Sequence, residues 1–316
     1  SPRARLRGKI GAVSTPELSV VICSYNRRVL VERAIRSLTC QSVDASRFEV
    51  LLVDNNSRDG TLEWAIEFAK EFSSLRVFRE TEQGLSFARN RGAREARAPF
   101  VAFLDDDAVA VPEWVEALLA TLAASPPGTV AVGGRIELDW SRPRPFWLPD
   151  EARGWLGYFT LPAERKDMRA GTDNLRGGNM VIERAALVDV GLFDTRLGRS
   201  KEGLMGNEEV EFQRRLERLG RPMAYAHDAV IYHLVHPERL HPRWFFRRAY
   251  DQGRSDVRLE SALGESTHEN TLLRSVWRTA YNGTRSLLAI GPRRKVRFAL
   301  RATAAVGAFV ERARMR

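Results

Sequence analysis

The stretch that most constrains this chain is Phe100-Val101-Ala102-Phe103-Leu104, an unbroken apolar run that leads into three consecutive aspartates, Asp105, Asp106 and Asp107. A short apolar run without alternation predicts a strand covered on both faces, which places the carboxylates at its C-terminal end. In an open parallel sheet, ligands bind at that end. Three clustered negative charges are costly to hold together unless solvent or a cation relieves them. Hard divalent cations such as Mg2+ or Mn2+ take oxygen ligands, keep several waters and are commonly shared with a substrate's phosphates. A metal-bridged diphosphate is therefore the first expectation. An acidic turn that only caps the helix near Pro112 needs one aspartate, and this turn has three.

The residues around this strand repeat its logic. Leu18 to Cys23, Phe48 to Val53 and Leu75 to Phe78 read as further strands, each followed by a helix-period segment. Such alternation predicts an α/β fold with a mostly parallel sheet flanked by helices, every strand delivering its polar tip to one edge. Those tips are Ser24-Tyr25-Asn26-Arg27 and Asp54-Asn55-Asn56-Ser57. The edge lacks the usual phosphate fingerprints, because no GxGxxG follows the first strand and no GxxxxGK[ST] occurs. Phosphates would need another anchor, and a metal on the aspartates supplies one.

Six segments then occur in a telling order: LSVVICSYNR, FEVLLVDNNSRDGT, GLSFARNRGA, FVAFLDDDAVAVPEW, LRGGNMVIERAAL with GLFD, and NEEVEF followed by AVIYH. Together they span about residues 18 to 233, and over that span the chain resembles family-2 glycosyltransferases of the GT-A fold. The resemblance implies a nucleotide-diphospho-sugar donor, usually a UDP-sugar, a divalent metal (Mn2+ or Mg2+) bound by a DxD motif, and inversion at the anomeric centre. Carried over position by position, Tyr25 and Asp54 meet the nucleobase and Arg89 helps to place the nucleotide. Asp105 and Asp106 lie by the ribose and metal, and Asp107 is the direct metal ligand. Gly178 and Asn179, which open a strand, let backbone approach the donor or acceptor closely. His233, at the end of the strand from Ala229, completes the metal shell or contacts the diphosphate.

A second acidic cluster, Asn207-Glu208-Glu209, reads as a helix start with Asn207 as N-cap and both glutamates in the first turn, where the helix dipole favours their ionised forms. The resemblance puts the family's "ED" motif here, with Glu209 where Asp is usual. The general base is thus expected at Glu209 or Glu208. Between these clusters, residues 140–172 are rich in Pro, Trp and Arg and show no sustained period, which predicts a long irregular excursion. Its aromatics, Trp147, Trp155, Tyr158 and Phe159, are expected to anchor it to the body more than to stack on sugar rings.

Charge divides the chain further. The net charge is +10, yet residues 239–316 hold 17 Lys and Arg against 6 Asp and Glu. The sequence therefore suggests a flexible basic arm over residues 1–16, a catalytic domain over 17–238 and a basic amphipathic helical region over 239–316. Basic amphipathic helices fit peripheral contact with an anionic membrane, or packing on the catalytic domain or on a second subunit. No apolar run reaches the ~20 residues of a membrane span, and the N-terminus lacks a secretory apolar core. Cys23 and Cys40 show no metal-ligand spacing and read as reduced core residues. The expected setting is cytoplasmic, at the inner face of the plasma membrane, with a glycan or lipid-linked acceptor. Two rivals are weaker. A nucleotidyltransferase would carry a Gly-rich basic first loop, which is absent. A nucleic-acid-binding protein would explain the Arg-rich tail, but no nucleic-acid module accompanies it.

Overall fold

The computed structural model describes residues 15–169, 171–199, 203–264 and 270–315, so most of the N-terminal arm lies outside the described residues. Eight strands among them form one sheet: β1 (Leu18–Ser24), β2 (Phe48–Asp54), β3 (Leu75–Arg79), β4 (Phe100–Asp105), β5 (Ala108–Ala110), β6 (Ala131–Trp140), β7 (Asn179–Glu183) and β8 (Met223–Val235). The spatial order is β3-β2-β1-β4-β7-β6-β8-β5. The helices are α1 (Arg28–Leu38), α2 (Thr61–Phe68), α3 (Leu85–Glu95), α4 (Trp114–Ala124), α5 (Arg184–Asp189), α6 (Glu208–Glu217), α7 (Pro242–Ala262), α8 (Asn270–Leu288) and α9 (Pro292–Arg314).

The apolar runs behave as their pattern requires. Every residue of β2 is buried, and β1 and the centre of β4 are covered on both faces. β1 pairs in parallel with β2 and β4, with Leu18 opposite both Phe48 and Phe100, so Ser24, Asp54 and Asp105 end at one edge. The sheet is mixed beyond β4. β7 runs antiparallel to β4 and β6, and β5 antiparallel to β8, while β6 and β8 are parallel. A parallel strand needs a crossover that returns the chain to the far end. Among its described residues the excursion before β7 contains only a 3-10 helix at Asp150–Leu156, so β7 enters from the aspartate edge itself.

A second, smaller core lies at that edge. Leu148 and Leu156 of the excursion pack with Val235 at the end of β8, Phe245 and Ala249 of α7, and Leu300 of α9. Trp147 meets Phe245 edge to face at 5.4 Å, and Phe159 meets Tyr225 in the same way at 6.0 Å. The aromatics of the excursion thus act mainly as anchors.

The basic C-terminal helices fold against this seam. α7 and α9 approach so closely that a Cβ on Gly253 would lie 1.8 Å from the Ala304 carbonyl oxygen, and one on Gly307 2.0 Å from that of Tyr250. Glu311 of α9 accepts from Arg254 Nε at 2.7 Å and Arg258 Nε at 2.6 Å, both on α7. The apolar side of α9 is therefore used in packing only in part, with Leu300 and Ala305 buried while Val306 and Phe309 stay 39% exposed. α8 differs, since Leu273, Trp277, Leu287 and Leu288 are exposed to between 62% and 83%. Among the described residues no helix is long and apolar enough to cross a membrane.

Two local expectations fail. Cys40 is exposed just beyond α1, whereas Cys23 sits in β1 with its thiol pushed up to about 12 by burial. Asn207 precedes α6 in a left-handed conformation (φ 77°), and its side chain makes no capping bond. It reaches α7 instead, donating to Asp256 Oδ1 at 3.0 Å and accepting from Gln252 Nε2 at 3.1 Å.

Candidate active site

The short strand β5 determines what the aspartates meet. Its pairing sets Ala108 opposite His233 of β8, which brings Asp107 beside the histidine. His233 Nε2 lies 3.1 Å from Asp107 Oδ1 and 3.9 Å from Asp105 Oδ2. One donor atom from each of Asp105, Asp107 and His233 falls within 4.8 Å of the other two. Two carboxylate oxygens and an imidazole nitrogen suit Mn2+, or Mg2+ with more of its shell left to water. A structural detail supports the fit. Asp107 Oδ2 is already taken by Arg27 and Arg239, each at 3.1 Å, so Oδ1 is the oxygen left to face Asp105 and His233.

The three aspartates have separate surroundings. Asp105 is the most open, with its side chain 35% exposed. Asp106 is buried and accepts from Ser24 Oγ and Arg27 Nη1, both at 2.9 Å; burial still pushes its carboxyl up to about 6 against the pull of Arg27. Burial would also raise Asp107, but His233, His236 and Arg239 outweigh it and hold that carboxyl well below its usual range.

Around this edge runs a cleft in two parts. The first is lined by Tyr25, Asn55, Gln83, Arg27 and the aspartates. Tyr25 is 41% exposed there, as a ring that meets a ligand must be. Asp54 stands at the end of β2 but is fully buried; it accepts from the Ser57 amide and shapes the turn that presents Asn55. The second part is lined by Arg89, Asp105, Gly178, Glu208, Glu209 and His233, and by α7 through Arg248 and Gln252.

Gly177 and Gly178 are required by close approach. A Cβ on Gly178 would lie 2.3 Å from Asp105 Oδ2, and one on Gly177 2.2 Å from Arg89 Nη2. Asn179 leaves the predicted set. It is fully buried, and its amide is consumed by bonds to the carbonyls of Arg135 and Ala229 and from Trp114 Nε1, each at 2.9 Å. An amide with its donors and acceptor spent in the core has nothing left for a sugar.

The paired glutamates also separate. Arg89 is buried and donates to Glu208 Oε1 at 2.7 Å, with Asp105 Oδ1 3.9 Å away. The Arg89 guanidinium is the fixed counter-charge of Glu208. Glu209 has no such partner, and its Oε2 is buried without a hydrogen bond. Burial, and then the neighbouring Glu208, push the Glu209 carboxyl up to about 7. The sequence pattern fits Glu209 and Glu208 equally well, and only the reach of Arg89 distinguishes them. Sequence reasoning missed Arg27, His236 and Arg239 as neighbours of Asp107, and Arg248 of α7. Arg27 alone had a signal, because it stands in the SYNR tip of β1.

Residues 19–190, more than half the chain, match the model for Glycosyl transferase family 2. The chain belongs to that family. This transferase is 28% identical over 248 residues to the glucosyl-dolichyl phosphate glucuronosyltransferase of Haloferax volcanii, covering 76% of each chain. It is 28% identical over 306 residues to the succinoglycan biosynthesis protein ExoM of Rhizobium meliloti, covering 93% of this chain and 92% of that one. Among solved structures it resembles the mannosyltransferase PcManGT from Pyrobaculum calidifontis in complex with GDP-Man and Mn2+, with TM-score 0.62, 19% identity, and coverage of 94% of this chain and 88% of that one. GalNAc-T7 with UDP, GalNAc and Mn2+ gives TM-score 0.56 at 19% identity, over 78% of this chain and 48% of that one. These likenesses establish the GT-A fold.

Proposed function

We propose that this glycosyltransferase moves a hexosyl group, with inversion, from a nucleotide-diphospho-sugar to a hydroxyl of a glycan or lipid-linked acceptor. The observation that carries the reading is the pairing of a metal-competent triad, Asp105, Asp107 and His233, with an unpartnered carboxyl, Glu209, in one cleft. A UDP-sugar is the donor we favour, with Tyr25 and the turn after Asp54 on the base and Asp106 towards the ribose. Asp105, Asp107 and His233 would hold Mn2+ or Mg2+, which when bound supplies Lewis-acid charge neutralisation to a departing diphosphate. Glu208 holds Arg89 in place beneath Gly177, so the guanidinium stays aimed along the cleft. Glu209 takes the acceptor proton as its oxygen attacks, and a carboxyl raised to about 7 is a more effective base than an ordinary one.

The lipid-linked option draws on α8. Its exposed residues combine the stacked pair Trp277 and Tyr281, with ring centroids 4.9 Å apart, with Leu287 and Leu288, and Arg285 donates to the Tyr281 hydroxyl. Such a face suits in-plane contact with an anionic bilayer.

Calorimetric titration with UDP tests the donor site. Wild-type protein should bind UDP more tightly with Mn2+ present, and Asp107→Ala should lose that dependence. Identical UDP affinity with and without Mn2+ in the wild type would sink the metal-dependent reading.

A further inference from the structure

The second part of the cleft contains more positive charge than its visible partners use. Arg89 is paired with Glu208, and Arg239 with Asp107. Arg248 of α7 has no hydrogen-bond or ion-pair partner among the described residues, although its Nη1 is fully enclosed. Burial, and then the nearby Arg199, bring its guanidinium down to about 10, the behaviour of a cation held away from water and beside a like charge. Across the same cavity Arg176 is also without an ion pair, its Nε enclosed and its guanidinium 5.5 Å from the Phe159 ring. Both residues line the second part of the cleft and neither lines the first.

A half-buried guanidinium with an enclosed, unpartnered nitrogen is costly, and two of them in one cavity cost more. The nearest carboxylates do not relieve them. Glu209 is close enough for its charge to act on each, yet makes an ion pair with neither. Asp256 is occupied by Asn207 and Gln252. A planar fork of N–H donors is the usual receptor for a carboxylate or a phosphate. Resting on the transferase reading above, we propose that Arg248 and Arg176 form an anion subsite for the acceptor, so that the acceptor carries a phosphate or carboxylate close to the hydroxyl that is glycosylated.

The position explains how the subsite serves transfer. Glu209 lines the same cavity within electrostatic reach of both arginines, so an acceptor anchored through its anion would have its free hydroxyl held near that carboxyl. Arg248 would then be a positioning and specificity residue and not a catalytic one. The diphosphate of the donor belongs at the aspartate edge, on the other side of Asp105. Arg199 lines both parts of the cleft and is the arginine that would serve the donor instead.

The test uses the intact chain saturated with UDP and Mn2+, titrated separately with methyl phosphate, methyl β-glucuronide and methyl β-glucoside. Both anionic probes, or one of them, should bind at least ten times more tightly than the neutral glucoside; which one wins identifies phosphate or carboxylate as the source. Arg248→Gln should remove that preference, and Arg248→Lys, which keeps the charge but loses the fork, should restore part of it. UDP affinity measured on the same variants should not change. Equal binding of all three probes, or an anion preference that survives the Arg248→Gln, Arg176→Gln double variant, would overturn the subsite. A parallel loss of UDP affinity in Arg248→Gln would assign the residue to the donor diphosphate and overturn it as well. Failure of wild-type protein to bind UDP at all would strike the donor reading, and the three probes titrated without UDP would still decide the anion site.

Discussion

The aspartate edge and the cavity beside it are built from opposite principles. At the edge, charge is balanced within the protein, because Asp106 and Asp107 together engage Ser24, Arg27, His233 and Arg239. In the cavity the charges stand apart: Glu209, Arg176 and Arg248 lack ion-pair partners among the described residues. The edge rests on β1, β4, β5 and β8, whose register sets Asp105 beside Cys23 and Ala108 opposite His233, while Arg27 and Arg239 reach in from just beyond β1 and β8. One wall of the cavity is a helix from the basic C-terminal region. The contrast teaches that a sheet edge can hold a candidate cation site ready-made, whereas the cavity beside it leaves charged groups unpartnered, as a surface that awaits a ligand would.

The strongest way to break this comparison is at Glu209. If its unpartnered carboxyl is the base, Glu209→Gln keeps the shape and removes the proton acceptor, with transfer falling on the order of a hundred- to ten-thousand-fold at unchanged UDP affinity. The sign of the pH effect follows from the raised carboxyl. The base works only when ionised, so wild-type transfer should fall as pH drops through about 7, and this limb should vanish in the variant. Glu208→Gln gives a different outcome, because it frees Arg89 and should weaken donor use. The two side chains leave their helix about 100° apart, so they cannot share one role. Inactivation by Glu208→Gln with Glu209→Gln untouched would reverse the assignment.

The difference between the two regions also governs how far each was legible. The edge is readable from apolar runs and their polar tips, since β1, β2 and β4 are buried on both faces and a fully covered strand must end where its apolar run ends. Asp105, Asp107 and His233 bring one donor atom each within 4.8 Å of the other two. Asn179 misleads because a Gly-Gly-Asn string looks like a ligand loop, while its amide closes the junction of β6, β8 and α4. The cavity is far less legible. Periodicity marks α7 as a helix with an apolar stripe, but nothing in a 3.6-residue pattern says that Arg248, off that stripe, shares a cavity with Glu209 some forty residues earlier. The crossing of α7 and α9 depends on Gly253 and Gly307, two glycines that look like ordinary helix weaknesses until the partner backbone is seen beside them.

A smaller effect is expected on the surface that would bring a membrane-bound acceptor to the cavity. Trp277 is 62% exposed and stacks on Tyr281, so a charge there removes apolar surface without disturbing a core. Trp277→Glu should lower sedimentation with anionic liposomes by about ten-fold, the scale expected when one large apolar side chain is taken out of an interface. Transfer to a soluble acceptor should stay unchanged, since α8 lines neither part of the cleft. Undiminished liposome binding would return this face to a packing role.

The smallest effect should come from the tie between the two regions, Asn207. It stands immediately before Glu208 and joins α6 to Gln252 and Asp256 of α7, so it ties the helix start that carries Glu209 to the helix that carries Arg248. Its left-handed backbone (φ 77°) makes the choice of replacement informative. Glycine accepts that conformation freely, so Asn207→Gly removes only the side-chain bonds, about 0.5–1.5 kcal/mol each and less where they are exposed. Alanine removes the same bonds and adds roughly 1 kcal/mol of backbone strain. Asn207→Gly should therefore raise the acceptor KM a few-fold with UDP affinity intact, because α7 loosens while the sheet edge does not. Asn207→Ala should do the same and lower the melting temperature by a further 2 °C or so. If both variants weaken UDP binding as much as acceptor use, the edge and the cavity are one mechanical unit, and the division drawn between them fails.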